Sequence, residues 1–344
     1  MLDFSEAHLS NLAIHQVGNK TNEDGIIISE KEVAVDGTIA ALLTTYFTKP
    51  FKPQEFYNFG HETDLNLNEV YTYVKTIFNN KTSLHLQSIN LARHLYEQSI
   101  YPQIKSGELY VAYFDNCYLN EELTEVVGIF KSEKKETFLK VFPEGKSFGI
   151  SRDDGIDINK LDKGCLVFNQ NTGEGFKVLL VDNTNKGEDA RYWKDLFLNV
   201  KPQEDTFFHT KNYLQMCKSF ATEAFPEADR IDQVSLVQES AKFFREEEIF
   251  DKLSFHQKVL QEPEIIEAFE NYKDSYQQRT QMQVYDEFDI NSDAVKKMNK
   301  AFKSVIKLDK NFHIYVHGNR NNIRKGHDEA LHMNYYQLFY KEES

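Results

Sequence analysis

Positive charge is the scarcer sign in this 344-residue chain: 40 lysines and arginines face 54 aspartates and glutamates, a net charge of −14. A molecule this acidic repels nucleic acid and anionic membrane as a whole, so binding to either requires a local basic patch. Cysteine is scarce too. Cys117, Cys165 and Cys217 lie 48 and 52 residues apart, a spacing that suits neither a zinc clip nor a disulfide framework, and an odd count suits a reducing cytosol. The first residues (MLDFSEAHLS) lack a basic n-region and an apolar h-region, and no apolar run approaches about 18 residues. The expectation is a soluble, cytosolic protein. What is present, 40% apolar and 27% charged residues, excludes disorder, collagen and a disulfide scaffold. At roughly 100–200 residues per domain, two or three domains with real cores are expected.

Hydrophobic periodicity divides the chain. IHQVGNK (14–20) and GIIIS (25–29) suggest a hairpin. Ile39, Leu42, Leu43, Tyr46 and Phe47 then fall on one helical face, ended by Pro50 and Pro53. Asn66 with Glu69 resembles a capping box for a second helix striped by Val70, Tyr73, Val74, Ile77 and Phe78. Leu84, Ser88, Leu91 and Leu95 carry a third helix toward Pro102. From 104 the period changes to two: ELYVAYF (108–114), LTEVVGIF (123–130), ETFLKVF (136–142), GCLVFN (164–169) and FKVLLVD (176–182) read as strands. Asp153 to Gly155 is among the turn-like stretches between them. Connections this short cannot hold crossover helices, so the sheet is predicted to be mostly antiparallel, with helices on one face of an α+β domain over 1–200.

Lys201-Pro202-Gln203-Glu204-Asp205 is the linker candidate. Beyond it, 206–344 reads as a helical region ending in short strands. Stripes run through Tyr213, Met216, Cys217, Phe220 and Ala224, through Val234, Val237, Ala241 and Phe244, and through Ile265, Phe269, Tyr272 and Tyr276. Val295, Met298 and Phe302 mark a short helix, and 302–308, 312–317 and 335–340 read as strands.

Chemical motifs are weak. GKSFG (145–149) matches the G-x-S-x-G pattern with Ser147 as nucleophile, but no helical stripe follows to form the sharp strand-to-helix turn that motif needs. Its Gly-Lys-Ser also matches the tail of a P-loop, yet Lys140 stands where the first glycine belongs. A turn between strands fits better. His313 and His317 have the spacing that pairs zinc ligands on a helix; in a strand they lie about 13 Å apart, too far for one ion. His327 and His332 lie nearby, which leaves a histidine site as a lesser reading. Asp157, Asn159 and Asp162 hint at a calcium loop, but Leu161 fills a ligand position. No cofactor, metal or catalytic residue is called for.

One charge feature rises above background. Between 296 and 325 nine basic residues (Lys296, Lys297, Lys300, Lys303, Lys307, Lys310, Arg320, Arg324 and Lys325) meet a single acid, Asp309, giving +8 and leaving −22 elsewhere. Lys296, Lys300 and Lys303 form a helical stripe away from Val295, Met298 and Phe302. Asn319, Asn321 and Asn322 add amide donors in a turn with Arg320 and Arg324. Phosphate oxygens want that mixture. The plainer alternative is a solvated basic face paired with acids such as Glu246 to Glu248.

The same segment, FHIYVHGNRNNIRKGHDE (312–329), followed by YYQLFYKEE (335–343), resembles the C-terminal signature of the bacterial 37-kilodalton nucleoid-associated (NdpA-like) protein family. IHQVGNK, SGELYVAYFDN (106–116), LTEVVGIFKSE (123–133), DGIDINKLDKGCLVF (154–168) and ARYWKDLFL (190–198) agree with that family in order. The resemblance implies a non-enzymatic protein of the bacterial nucleoid. The leading expectation is therefore sequence-tolerant binding of duplex DNA through Lys296, Lys300, Lys303, Arg320, Arg324 and Lys325. The alternative is an acidic interaction protein, even a DNA mimic, docking on a nucleoid enzyme such as a topoisomerase. A hydrolase using Ser147 or the C-terminal histidines ranks third.

Overall fold

The computed structural model describes residues 2–52, 55–184, 191–224, 230–299, 305–309, 311–315 and 322–342. The chain divides into two compact units, Met1–Gln203 and Glu204–Ser344.

The first unit opens with β1 (Leu2–Asp3), β2 (His8–Val17), β3 (Ile26–Ile27), α1 (Gly37–Thr48), β4 (Tyr57–Phe59), α2 (Glu69–Asn79) and α3 (Leu84–Gln98). It continues with β5 (Gly107–Leu119), β6 (Glu122–Ser132), β7 (Glu136–Glu144), β8 (Ser147–Gly155), β9 (Lys163–Phe168), β10 (Lys177–Asp182) and β11 (Val200–Pro202). Nine strands form one antiparallel sheet in the order β11-β4-β10-β9-β6-β5-β2-β3, with β1 also on β5. The α+β class and the antiparallel sheet are as the short connections require. β7 and β8 stand apart as their own two-stranded ribbon.

The central strands are buried on both sides, which is why LYVAYF and VVGIF read as near-continuous apolar runs. Leu109, Val111 and Tyr113 face a core built with Val70, Val74 and Ile77 of α2 and Leu84, Leu91 and Leu95 of α3. Tyr110, Ala112 and Phe114 alternate to the other face, where Tyr46 and Phe47 of α1 pack. Phe47 stacks on Phe130 at 4.1 Å between ring centres. Helices therefore cover two faces of the sheet, because α1 carries its own aromatic pair to the second one. Only the end of its apolar stripe is buried; Ile39 and Leu42 remain exposed.

Two local expectations are corrected. Asn66 does not cap α2. Asp64 caps a short 3₁₀ turn at Leu65–Leu67, and the buried Asn68 caps α2 by accepting from the Tyr71 N–H at 2.9 Å. The Asn68 amide also donates to the carbonyls of Gly60, Leu198 and Asn199, tying the helix start to the chain near β11. Asp153 and Asp154 do not form a turn; both lie in β8, paired with Phe138 and Thr137. The linker candidate is largely structured as well. Lys201 and Pro202 lie in β11, the Gln203 N–H donates to the Phe56 carbonyl, and Asp205 caps the next helix.

One buried group on β2 makes stability depend on pH. Nδ1 of His15 accepts from the Ser29 N–H at 3.2 Å, and Nε2 lies 2.8 Å from Ser88 Oγ, whose own proton goes to the His85 carbonyl. His15 is thus neutral with its proton on Nε2. Burial, with His85 adding to it, pushes its pKa down to about 4 from an ordinary 6.5. Between those values the unfolded chain binds a proton that the folded chain refuses, so stability falls as pH drops through that window. The expected loss approaches about 3 kcal/mol. Urea unfolding at pH 7 and near pH 4 measures it, and His15→Gln should remove most of the difference.

The second unit contains α4 (Thr206–Glu223), α5 (Arg230–Glu246), β12 (Ile249–Asp251), α6 (Lys252–Phe255), α7 (Pro263–Thr280), β13 (Glu287–Asp289) and α8 (Ser292–Asn299). Its core is aromatic: Tyr213 of α4 meets Phe244, Phe250, Phe255 and Phe269 at ring distances of 4.1–6.1 Å. Pro263 starts α7, where its missing N–H costs nothing. Two hairpins follow, β14 (Val305–Leu308) with β15 (Phe312–Tyr315), and β16 (Ile323–Asp328) with β17 (Met333–Leu338).

Candidate nucleic-acid interface

The basic segment begins on α8. Asn291 caps this helix through the N–H groups of Asp293 and Ala294, and Ala294, Val295 and Met298 are buried. Lys296 and Lys297 are therefore turned outward. Lys296 makes an exposed ion pair with Asp293 of its own helix at 3.1 Å, a contact worth well under about 1 kcal/mol. Lys297 lies 5.5 Å from the Phe207 ring. Lys300, Lys303, Lys310 and Arg320 lie outside the described residues, as does His317.

Arg324, expected in a turn, lies instead in β16, as does Lys325. Register separates them. Lys325 pairs with Tyr336, on the side of the hairpin from which Ile323 and Tyr336 pack with Ile306 and Val234. Arg324 pairs with Gln337 on the opposite side, together with Met333, Tyr335 and Phe339 by alternation. That outer face also carries Gly326, Asp328 and Gln337. The Arg324 guanidinium lies over the Phe339 ring at 5.2 Å. The Phe339 N–H donates to the Asn322 carbonyl at 2.8 Å, which extends the ladder past the end of β17. The Tyr335 ring lies across Gly326, so close that a Cβ there would collide with it. Met333, Tyr335 and Phe339 are exposed.

A cation lying on a ring, next to a second ring spread on a glycine, puts positive charge and aromatic surface side by side. Basic residue counting missed Tyr335, Phe339 and Gly326. The signal was in the strand alternation: tyrosine and phenylalanine four apart, on the same face as a glycine and an arginine two apart on the partner strand.

The rival motifs do not assemble. Ser147 is the first residue of β8, opposite Glu144 across the two-residue turn Gly145-Lys146. Gly145 has φ +60°, which tight two-residue turns require. This is a strand-to-strand hairpin, so the elbow that exposes a nucleophilic serine is not formed. His313 lies exposed in β15 opposite Lys307, and His327 Nδ1 sits 2.9 Å from Asn334 Oδ1 across its hairpin. Asp157 is used by the Asn159 N–H and by Lys160, and Asp162 accepts from the N–H groups of Glu133 and Lys134. Among the described residues no cluster of three His, Cys, Asp or Glu side chains could hold a metal ion. Cys117, Cys165 and Cys217 are buried and free, and burial raises all three thiol pKa values, those of Cys117 and Cys217 to about 12. These thiols are protonated packing groups. No described helix is long and apolar enough to cross a membrane.

A family model described as nucleoid-associated protein YejK matches residues 13–331. No curated protein matches the chain.

Proposed function

Because the chain belongs to the nucleoid-associated protein YejK family, we propose that it binds duplex DNA in the nucleoid, without catalysis and without sequence preference, through its basic segment 296–325. The observation that carries this reading is the outer face of the β16–β17 hairpin. There Arg324 on Phe339 and Tyr335 on Gly326 combine cation and aromatic surface at the end of a stretch, 296–325, of charge +8. With −22 elsewhere, the rest of the surface repels phosphate and directs contact to this stretch. Lys296, Lys300, Lys303, Arg320 and Lys325 would supply further phosphate contacts, which position the protein without reading bases.

An anisotropy titration with unrelated duplexes at two salt concentrations tests it. Similar affinities for all sequences, falling steeply as salt rises, are expected. Absence of binding even at low salt would transfer nucleoid association to a DNA-bound partner protein, such as a topoisomerase.

A further inference from the structure

The β7–β8 ribbon has no role in the reading above. It is a two-stranded sheet on its own, about 30 Å long by strand rise, and two strands alone are marginally stable in water. Its two faces are both exposed, one more than the other. On one, Phe142 covers Gly149, where a Cβ would lie 2.7 Å from the ring, and Phe138 leans on Gly155 at 3.0 Å. That face covers its glycines but leaves Phe138 and Phe142 49% and 39% exposed. On the other, register brings together Leu139 with Arg152, Val141 with Ile150, and Pro143 with Phe148. Leu139, Val141, Phe148 and Ile150 are 72%, 62%, 72% and 69% exposed. Four such side chains in one row reach several hundred Å², the upper range that monomers tolerate, roughly 300–600 Å².

We propose that this naked face is a self-association surface, on which the ribbon of a second copy of the chain packs face to face about a two-fold axis. The order of residues argues for a copy. Val141 and Ile150 sit at the middle of the row, Leu139 and Arg152 on one side, Pro143 and Phe148 on the other. A two-fold axis through the middle lays Arg152 of each copy over Phe148 of the other. One step further out, it sets Lys146 in the turn of one ribbon against Asp154 at the base of the other. Apolar surface meets apolar surface, Arg152 meets an aromatic ring, and the Lys146–Asp154 pair forms twice, which is the self-complementarity an isologous interface requires. The ribbon itself is close to neutral, with Lys140, Lys146 and Arg152 against Glu136, Glu144, Asp153 and Asp154. It therefore offers no attraction for phosphate. Two such faces together approach the roughly 1,000 Å² that a specific interface needs at minimum, so a reversible dimer is the expected state.

Sedimentation equilibrium over a wide concentration range tests the proposal. The full chain is expected to show a monomer–dimer equilibrium. Leu139→Lys with Ile150→Glu should raise the dissociation constant at least about tenfold. Both positions are exposed, so unchanged circular dichroism and melting would certify the fold. Lys146→Glu and Asp154→Lys should each weaken the dimer, and the two together should restore it, because the paired charges lie on different copies. A monomer at every concentration would overturn the proposal and leave the face to a different protein. A dimer insensitive to the double ribbon variant, or charge reversals that do not compensate, would overturn it equally.

Discussion

Replacing Lys131 with alanine is expected to destabilise the protein by about 3–5 kcal/mol, the usual cost of leaving a buried charge without its partner. Lys131 ends the buried run of β6 with a fully buried side chain, and its Nζ lies 3.1 Å from the carboxylate of Glu133, which is 3% exposed. The same Nζ donates to the Lys105 carbonyl at 2.7 Å, and the Tyr192 hydroxyl donates to Glu133 at 2.9 Å. One strand over, Lys163 is equally buried, paired with Asp182 at 2.8 Å, and both ammonium groups lie within 6 Å of the Tyr192 ring centre. Burial lowers the Lys131 pKa, and Glu133 opposes that shift by holding the proton. Alanine strands the Glu133 carboxylate in a site that excludes water. Lys131→Met combined with Glu133→Gln removes both charges while keeping an acceptor for Tyr192, and should recover most of the loss. Chemical unfolding of the three proteins reads this directly. A single variant costing less than about 1 kcal/mol would mean that water reaches Glu133.

Changing Lys296 and Arg324 together to glutamine is the second large expected effect. On duplex DNA each phosphate contact contributes about −0.9 to the slope of log K against log salt. Losing two contacts should flatten the slope by nearly two units and weaken binding to every sequence alike. A base-reading residue would behave differently, costing affinity at one site and sparing others. Both side chains are exposed, and Lys296 has only its weak pair with Asp293 to lose. Stability should therefore change by less than about 1 kcal/mol, which separates the binding effect from misfolding. An unchanged slope in the folded double variant would move the contact surface elsewhere.

Period alone located most of the architecture. The run from Leu109 to Phe114 and the stripe Val70, Val74, Ile77 were legible because burial on a sheet or a helix leaves a fixed spacing. β8 was not. Asp153 to Gly155 reads as a turn because a ribbon exposed on both faces does not need apolar alternation along both strands. The α2 cap was misplaced by two residues because Asp64, Asn66 and Asn68 are all good caps, and only the tertiary bonds of Asn68 to Gly60, Leu198 and Asn199 select it. Helical cover of a second sheet face was hidden for a related reason: Ile39 and Leu42 suggest a longer buried stripe than α1 has. At the proposed interface, charge counting found Arg324 and Lys325 but could not place them on opposite sides of one hairpin. That separation depends on register, and register is fixed by pairing partners ten or more residues away.

The position of β11 at the end of the sheet has a consequence for biosynthesis. β4, completed at Phe59, hydrogen-bonds on one side to β10 and on the other to β11, whose partners Val200, Lys201 and Pro202 are translated some 140 residues later. The central hairpin β5–β6 is local and can form as it leaves the ribosome. β4 must wait for β10 and β11, with Tyr57 and Phe59 unprotected meanwhile. Late closure of distant pairings is slow, and an edge left open for that interval invites pairing with the wrong chain. Translation pauses well beyond Pro202, once β11 has left the ribosome, would therefore favour correct folding, whereas pauses before β11 has emerged would prolong the exposed state.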